Sequence, residues 1–332
     1  MNEPFQAYVL DETDAGVRGH LQRFSHAALD EGDTLVRVEY SSINYKDVLA
    51  GTGKGTIARR LPLIGGIDCS GEVVYSATFA PGQKVLVCGC GLSETHHGGY
   101  AQYAQMPGDW LVPVPNGLNT REVMALGTAG LSAALAVAKL EAAGITPDQG
   151  PIAVTGASGG VGSFAIDMLS LRGYEVAAIS GSPAASDYLL SLGAARVINR
   201  HDILADDKPL GRATWAGVID NVGGSLLANL LKAVLPNGTV ASIGLAGGAK
   251  LVTTVLPFIL RGVSLLGVNS VSLTPAVRAN IWSRIASDLK PRHIDTIAGE
   301  EIDLAALPER LDSAFGAEHF GRSIVRIGAT DK

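Results

Sequence analysis

The sequence predicts an α/β protein of two domains, in which a β-rich domain is interrupted by a doubly wound parallel sheet. Three observations predict this. The chain has 332 residues, more than one hydrophobic core comfortably organises. Its first third carries short runs of alternating apolar and polar residues, the pattern of half-buried strands. After Pro151, short fully apolar runs alternate with helical patterns, as in βαβ units whose strands are covered on both faces. The expected division is 1–124 and 271–332 for the β-rich domain, with 125–270 inserted as the second.

The elements follow in order. Residues 35–40 (LVRVEY) and 84–88 (KVLVC) alternate cleanly, and Pro81-Gly82 makes the turn before the second. Shorter strands are expected at 72–75, 100–105 and 110–114, spacing that suggests a small irregular barrel. Pro113 and Pro115 then punctuate the chain. Thr120 is placed to cap a helix running to about Ala142, and Gly144 stands where a left-handed residue would end it. The inserted domain reads as strands at 152–155, 175–180, 196–199, 216–220, 239–243 and 263–268, with helices at 160–171, 184–192 and 226–235. A helix at 278–289 has Ile281, Ile285 and Leu289 on one face, and 323–327 (SIVRI) closes the chain as a strand.

Composition excludes several classes. With 47% apolar and 17% charged residues, the chain buries too much surface to remain disordered. Its 26 Lys and Arg against 32 Asp and Glu give a net charge of −6, which argues against nucleic acid as a partner. Three Cys cannot build a disulfide framework and fit a reducing, cytoplasmic setting. The start, MNEPFQAYVL, lacks a basic segment followed by an apolar one, so secretion is not expected. No membrane partner is expected either: the most apolar stretch, 125–138, is diluted by Thr128 and Ser132 and bounded by Lys139 and Glu141. Glycine, however, supplies 41 residues, well above the ~7% of ordinary chains.

Where the glycines fall is informative. Thr155-Gly156-Ala157-Ser158-Gly159-Gly160-Val161-Gly162 lies between an expected strand and an expected helix, the position of a Rossmann dinucleotide fingerprint. Glycines there let the backbone approach a pyrophosphate, which rests on the helix N-terminus. NAD would call for a carboxylate at the end of the next strand. Here that end is Ser180-Gly181-Ser182, with Arg200 just past the third strand to supply positive charge, so NADPH is the preferred coenzyme. The glycine spacing also fits short-chain dehydrogenases, but no Tyr is followed by Lys at the Tyr-x-x-x-Lys spacing those enzymes use. Metal is not expected: Cys88-x-Cys90 with His96 and His97 lacks the spacing of a structural zinc site, and Cys69 does not complete it. No Cys or Ser is paired with a base for nucleophilic work. Lys54, Arg59 and Arg60 form a basic cluster, a candidate clamp for substrate phosphates in an otherwise acidic chain.

Several blocks together carry a family likeness: Ser42-Ile43-Asn44-Tyr45-Lys46-Asp47, Gly66-Ile67-Asp68-Cys69-Ser70-Gly71, Gly98-Gly99-Tyr100-Ala101-Gln102-Tyr103, the glycine-rich loop, and Val218-Ile219-Asp220-Asn221-Val222-Gly223-Gly224. The sequence resembles the zinc-independent branch of the medium-chain dehydrogenase/reductase superfamily. Within it, Gly51-Thr52-Gly53-Lys54-Gly55, Gly108-Asp109-Trp110-Leu111-Val112 and Gly244-Leu245-Ala246-Gly247-Gly248 look most like the NADPH-dependent acrylyl-coenzyme A reductases, long grouped with quinone oxidoreductases. In zinc-dependent relatives a Cys stands at the position of Asn44 and a His-Glu pair at Ile67-Asp68. The resemblance implies a GroES-like catalytic domain and a Rossmann domain, with NADPH in the cleft between them.

Carried over residue by residue, the resemblance puts coenzyme contacts on Tyr45, Ser158, Gly159, Gly160, Val161, Ser180, Gly181, Ser182, Arg200, Leu245, Ile259 and Ser270. Many relatives carry a basic residue at Pro183, which leaves Arg200 and the serines to hold a 2′-phosphate. The implied reaction is reduction of acrylyl-CoA to propionyl-CoA, with Asn44 and Tyr45 orienting nicotinamide and substrate and Asp68 organising them. Tyr45 or a water would supply the proton. A quinone or enone reductase without CoA, and a non-catalytic NADPH-binding protein, are the other readings. A homodimer paired through the 263–270 segment is implied as well.

Overall fold

The computed structural model describes residues 3–14, 16–204, 209–314 and 319–328, organised as two compact units. The first comprises 1–128, 270–286 and 294–332; the second comprises 129–269 and 287–293.

The first unit begins with a hairpin, β1 (Phe5–Thr13) and β2 (Gly16–Phe24), that the pattern reading did not anticipate. β2 is an edge strand with Arg18, His20 and Arg23 exposed, and only Val17, Leu21 and Phe24 pack, half-buried, against the core, a weak pattern to read. β3 (Thr34–Ser42) leads into the short helix α1 (Tyr45–Gly51), then β4 (Leu63–Ile64), β5 (Asp68–Ser76), β6 (Lys84–Cys88), β7 (Tyr103–Met106) and β8 (Val112–Pro113). The strand expected at 110–114 is only two residues long, because Gly108–Trp110 forms a 3-10 turn ahead of it.

Helix α2 (Thr120–Ala142) has the expected bounds. Its cap is Asn119, not Thr120: Asn119 Oδ1 accepts from the Glu122 amide, while Glu122 accepts from the Asn119 amide. The Thr120 hydroxyl instead donates to Glu39 Oε2 at 2.6 Å. Gly144 has φ +83°, left-handed as expected. α2 is long and apolar enough to cross a membrane by length and composition, but 83% of its apolar window is buried in protein.

In the second unit β9 (Ile152–Thr155), α3 (Gly160–Leu171), β10 (Val176–Ser180), α4 (Ser186–Ser191), β11 (Arg196–Asn199), α5 (Arg200–Leu204), β12 (Trp215–Asp220), α6 (Gly224–Leu231), β13 (Val234–Ser242), α7 (Leu256–Arg261) and β14 (Ser264–Gly267) follow in order. All six strands are parallel, in the order β11-β10-β9-β12-β13-β14, so the chain reverses direction beside β9, where doubly wound sheets bind ligands. One expected helix is corrected: 226–235 ends at Leu231, and β13 begins at Val234. Its register shifts between Val234 and Thr239, and Asn237 takes φ +61°, so Pro236-Asn237-Gly238 interrupts the strand and hides its first half from pattern reading. The core of this sheet is Ile179, Val218, Leu227, Leu230, Leu231 and Val240.

The last segment supplies α8 (Pro275–Ile285), α9 (Ile294–Ile297), β15 (Glu300–Asp303), α10 (Leu307–Ser313) and β16 (Ser323–Arg326). α8 starts three residues before the expected 278 and stops before Leu289, because Thr274 caps it and Pro275 occupies its first position. β16 pairs with β3 and extends the first unit's main sheet, β15-β16-β3-β5-β6-β8, over a core that includes Val36, Val38, Val85, Tyr100, Leu307 and Val325.

Candidate active site

In the first unit, polar side chains gather where β3 enters α1. Asn44 has extended backbone ahead of α1, and its amide N–H donates to Asp47 Oδ2 at 2.9 Å. Asp47 Oδ1 accepts from the Ile67 amide at 3.0 Å, tying the first helical turn to the approach of β5. The next residue, Asp68, opens β5 and is fully buried. Its Oδ2 accepts from Ser42 Oγ (2.7 Å), Asn44 Nδ2 (2.9 Å) and the Thr128 amide (2.8 Å), and its Oδ1 from Thr128 Oγ1 (2.5 Å).

Arg322 completes the cluster. It is buried, donates through Nη1 to Asn44 Oδ1 (3.0 Å) and through Nη2 to Ser42 Oγ (2.7 Å), and stands 3.8 Å from Asp68 Oδ2. Burial alone would make this guanidinium easier to deprotonate, and the Asp68 charge opposes that. Burial, reinforced by the Asp68 charge, pushes the Asp47 carboxyl up to about 7 against its hydrogen bonds from Asn44 and Ile67. Asn44 therefore spends its oxygen on Arg322 and its amino hydrogens on the two carboxylates, which fixes its orientation. Its neighbour Tyr45, the first residue of α1, is 54% exposed.

Gly127 makes the cluster possible. It has φ +48° and ψ −153° inside α2, a conformation essentially reserved for glycine. A Cβ there would lie 2.6 Å from Asp68 Oδ2 and 2.7 Å from Arg322 Nη2. The kink turns the Thr128 amide and hydroxyl onto Asp68.

Arg322, Ser42 and Thr128 escaped the sequence reading. Arg322 is 278 residues from Asn44, and nothing local marks its Gly-Arg-Ser setting as special. The basic cluster is split: Arg60 is held by both carboxylate oxygens of Asp30 and by the Thr95 carbonyl, while Lys54 and Arg59 are exposed. Ser270 opens the 270–286 segment and is half-buried.

In the second unit the glycine-rich loop joins β9 to α3. A Cβ on Gly162 would lie 2.4 Å from the Gly156 carbonyl and 2.7 Å from Ala157 Cα, so only glycine lets α3 start this close to the strand. Gly159 gives α3 no side-chain cap, which leaves the first amides of a 12-residue helix, from Gly160 and Val161 onward, to an anion. Ser158 precedes them. Beside the loop, Thr155 Oγ1 donates to Asp220 Oδ1 (2.7 Å) and accepts from the Asn221 amide (2.9 Å), and Asn221 Nδ2 donates to the Thr155 carbonyl (2.7 Å). Asn221 Oδ1 is buried with no protein partner among the described residues. At the end of β10, Ser180 is buried and its hydroxyl accepts from the Ser182 amide at 3.1 Å. Leu245 and Ile259, 60% and 68% exposed, lie after β13 and in α7. An uncapped helix end, a close-packed glycine loop and an orphaned acceptor at the switch point fit a dinucleotide.

Comparison with known proteins extends these geometries. A model described as the alcohol dehydrogenase GroES-like domain matches residues 30–116, and one described as zinc-binding dehydrogenase matches 160–287. The chain is 44% identical to the acrylyl-CoA reductase AcuI of Ruegeria pomeroyi, over 98% of this chain and all of that one. The chain belongs to the quinone oxidoreductase-like acrylyl-CoA reductase family of medium-chain dehydrogenases/reductases. The crystal structure of Escherichia coli K-12 YhdH with bound NADPH is 46% identical, covers 97% of this chain and 100% of its own, and superposes with a TM-score of 0.94. Bacillus subtilis yhfP with NAD bound is 45% identical, covers 97% and 99%, and gives 0.93.

One family description names zinc, and the residues of this member do not fit that ion. Where relatives place Cys and His-Glu, this chain has an amide, Asn44, and a carboxylate, Asp68, already facing a guanidinium. His97 is spent on backbone, with Nδ1 accepting from the Ile64 amide. Among the described residues no set of three His, Cys, Asp or Glu side chains converges as metal ligands.

Proposed function

We propose that this chain reduces the conjugated C=C of acrylyl-CoA to propionyl-CoA with NADPH. The observation that carries the reading is the full-length likeness, at 44% identity, to an acrylyl-CoA reductase. Bound NADPH supplies a hydride to the β-carbon of the thioester. The amides of Gly160 and Val161, with Ser158 and Gly159, would cradle its pyrophosphate, and Ser180, Gly181, Ser182 and Arg200 would hold the adenosine end.

Hydride addition leaves charge on the thioester oxygen, and donors aimed at that oxygen stabilise the transition state more than the ground state. Tyr45 is the exposed donor here, and it is our choice to orient the acyl group and return a proton to the α-carbon. Asn44 and Asp68 act as positioning residues. They hold the start of α1, and so Tyr45, through the buried Arg322 network. The exposed cations Lys54 and Arg59 are our choice to meet CoA phosphates; Arg60 also contacts Asp30.

A second copy pairs through β14, the edge strand of the parallel sheet; in the chain leading to it, Val252, Val255 and Leu260 expose apolar surface. Three free thiols suit a reducing, cytoplasmic compartment.

Deuterium labelling tests the reaction. Turnover of acrylyl-CoA with NADPH deuterated at the nicotinamide C4 should place the label on the β-carbon of propionyl-CoA. Label recovered only on the α-carbon, or no propionyl-CoA at all, would sink the reading.

A further inference from the structure

Sheet register brings one glycine and one arginine together at the edge of the second unit. Ser180, the last residue of β10, pairs with Asn199, the last residue of β11. Their successors, Gly181 and Arg200, therefore leave the two parallel strands side by side. One strand further along, Ile179 pairs with Thr155, which opens the glycine-rich loop.

Arg200 does not extend away from this corner. A Cβ on Gly181 would lie 2.7 Å from Arg200 Nε, 2.8 Å from Cζ and 3.1 Å from Cδ. The arginine, from Cδ to Cζ, thus occupies the space that any side chain at 181 would take. Gly181 is not among the positive-φ residues, so backbone geometry does not demand glycine there. Ser180 offers the corner little, because its buried hydroxyl is engaged with Ser182.

The geometry points to Gly181 as the residue that sets NADPH over NADH, acting as a shelf that holds the Arg200 guanidinium at the carboxyl end of β10. This deepens the coenzyme reading above and rests on it. A dinucleotide laid along the glycine loop turns its adenosine ribose toward the end of the second strand. There the 2′-phosphate of NADPH meets a guanidinium already placed at the strand end with paired donors, while the 2′-hydroxyl of NADH gains little from it.

Alanine at 181 separates the shelf from the fold. Its methyl collides only with the far part of a flexible, exposed side chain, so the arginine can swing away at little structural cost. Calorimetric titration of NADPH, NADH and 2′,5′-ADP into wild type, Gly181→Ala, Arg200→Ala and the double variant is the test, with thermal unfolding as a fold control. Both single variants should bind NADPH and 2′,5′-ADP at least ~10-fold more weakly, lose at least ~10-fold of the wild-type preference for NADPH over NADH, and melt like wild type. The double variant should be no weaker than Arg200→Ala alone. If wild type prefers NADPH but Gly181→Ala retains that preference, the shelf is refuted and the coenzyme reading stands. A full Gly181→Ala loss that persists on the Arg200→Ala background also refutes it. Wild type binding NADH as tightly as NADPH would overturn both.

Discussion

Arg322 and Asp68 are buried together, and each would be an uncompensated charge without the other. Removing one partner of such a pair costs about 3–5 kcal/mol, because the survivor keeps its desolvation penalty. Arg322→Ala should therefore lower unfolding free energy in urea by that order, and an unchanged midpoint would show that the charge is not carried there. Asp47 makes a pH prediction. Its folded pKa, about 7, lies above the ordinary carboxylate value of 3.8, so the folded state holds a proton that the unfolded state releases. That contribution to stability is fully present below about pH 4 and is lost as pH rises through about 7. Stability measured from pH 4 to 8 should fall with this slope in wild type, and Asp47→Asn should lose the slope whatever its absolute stability. Tyr45 bears on chemistry instead: Tyr45→Phe should cut turnover or NADPH affinity at least ~10-fold, since the exposed phenol is the group assigned to the substrate. Wild-type kinetics in that variant would remove Tyr45 from the mechanism.

Within elements, the break in α2 has the clearest consequence. Gly127→Ala combines about 1–3 kcal/mol of backbone strain with overlap of Asp68 and Arg322. Thermal unfolding should show a lower melting temperature, whereas Ala at Gly144, where the added Cβ meets nothing within 4 Å, pays only for its left-handed φ. The kink was not legible: Ala125–Leu126–Gly127–Thr128 reads as apolar helix, and only the carboxylate of Asp68, 60 residues earlier, explains why the helix breaks there. Elements whose partners are sequence neighbours were legible. β9, α3 and β11 fall where strand and helix periods put them: β9 and α3 bury contiguous runs, and β11 carries half-buried Val197 and Ile198 between exposed ends. β13 was half legible, since Pro236 to Gly238 interrupt its pattern.

Across the whole molecule the same division holds. The dinucleotide loop could be found from sequence because strand, turn and helix N-terminus are consecutive residues. The cluster around Asp68 could not be assembled, since it draws on Ser42 and Asn44, Thr128 and Arg322 from three distant parts of the chain. Sequence supplied Asn44 and Asp68 through resemblance, and the fold added that the Asn44 side chain is engaged with Arg322, Asp47 and Asp68. It also showed that Arg60 contacts Asp30. Lys54→Ala with Arg59→Ala should then raise KM for a CoA thioester severalfold and leave KM for a simple quinone unchanged; equal effects on both would dissociate these cations from CoA. The account stands most directly on substrate choice. Steady-state kcat/KM for acrylyl-CoA and for 1,4-benzoquinone, each with NADPH and with NADH, measures it in one set of assays. Acrylyl-CoA with NADPH should exceed every other pair by at least ~10-fold, and a quinone turned over as efficiently as acrylyl-CoA would contradict the assignment.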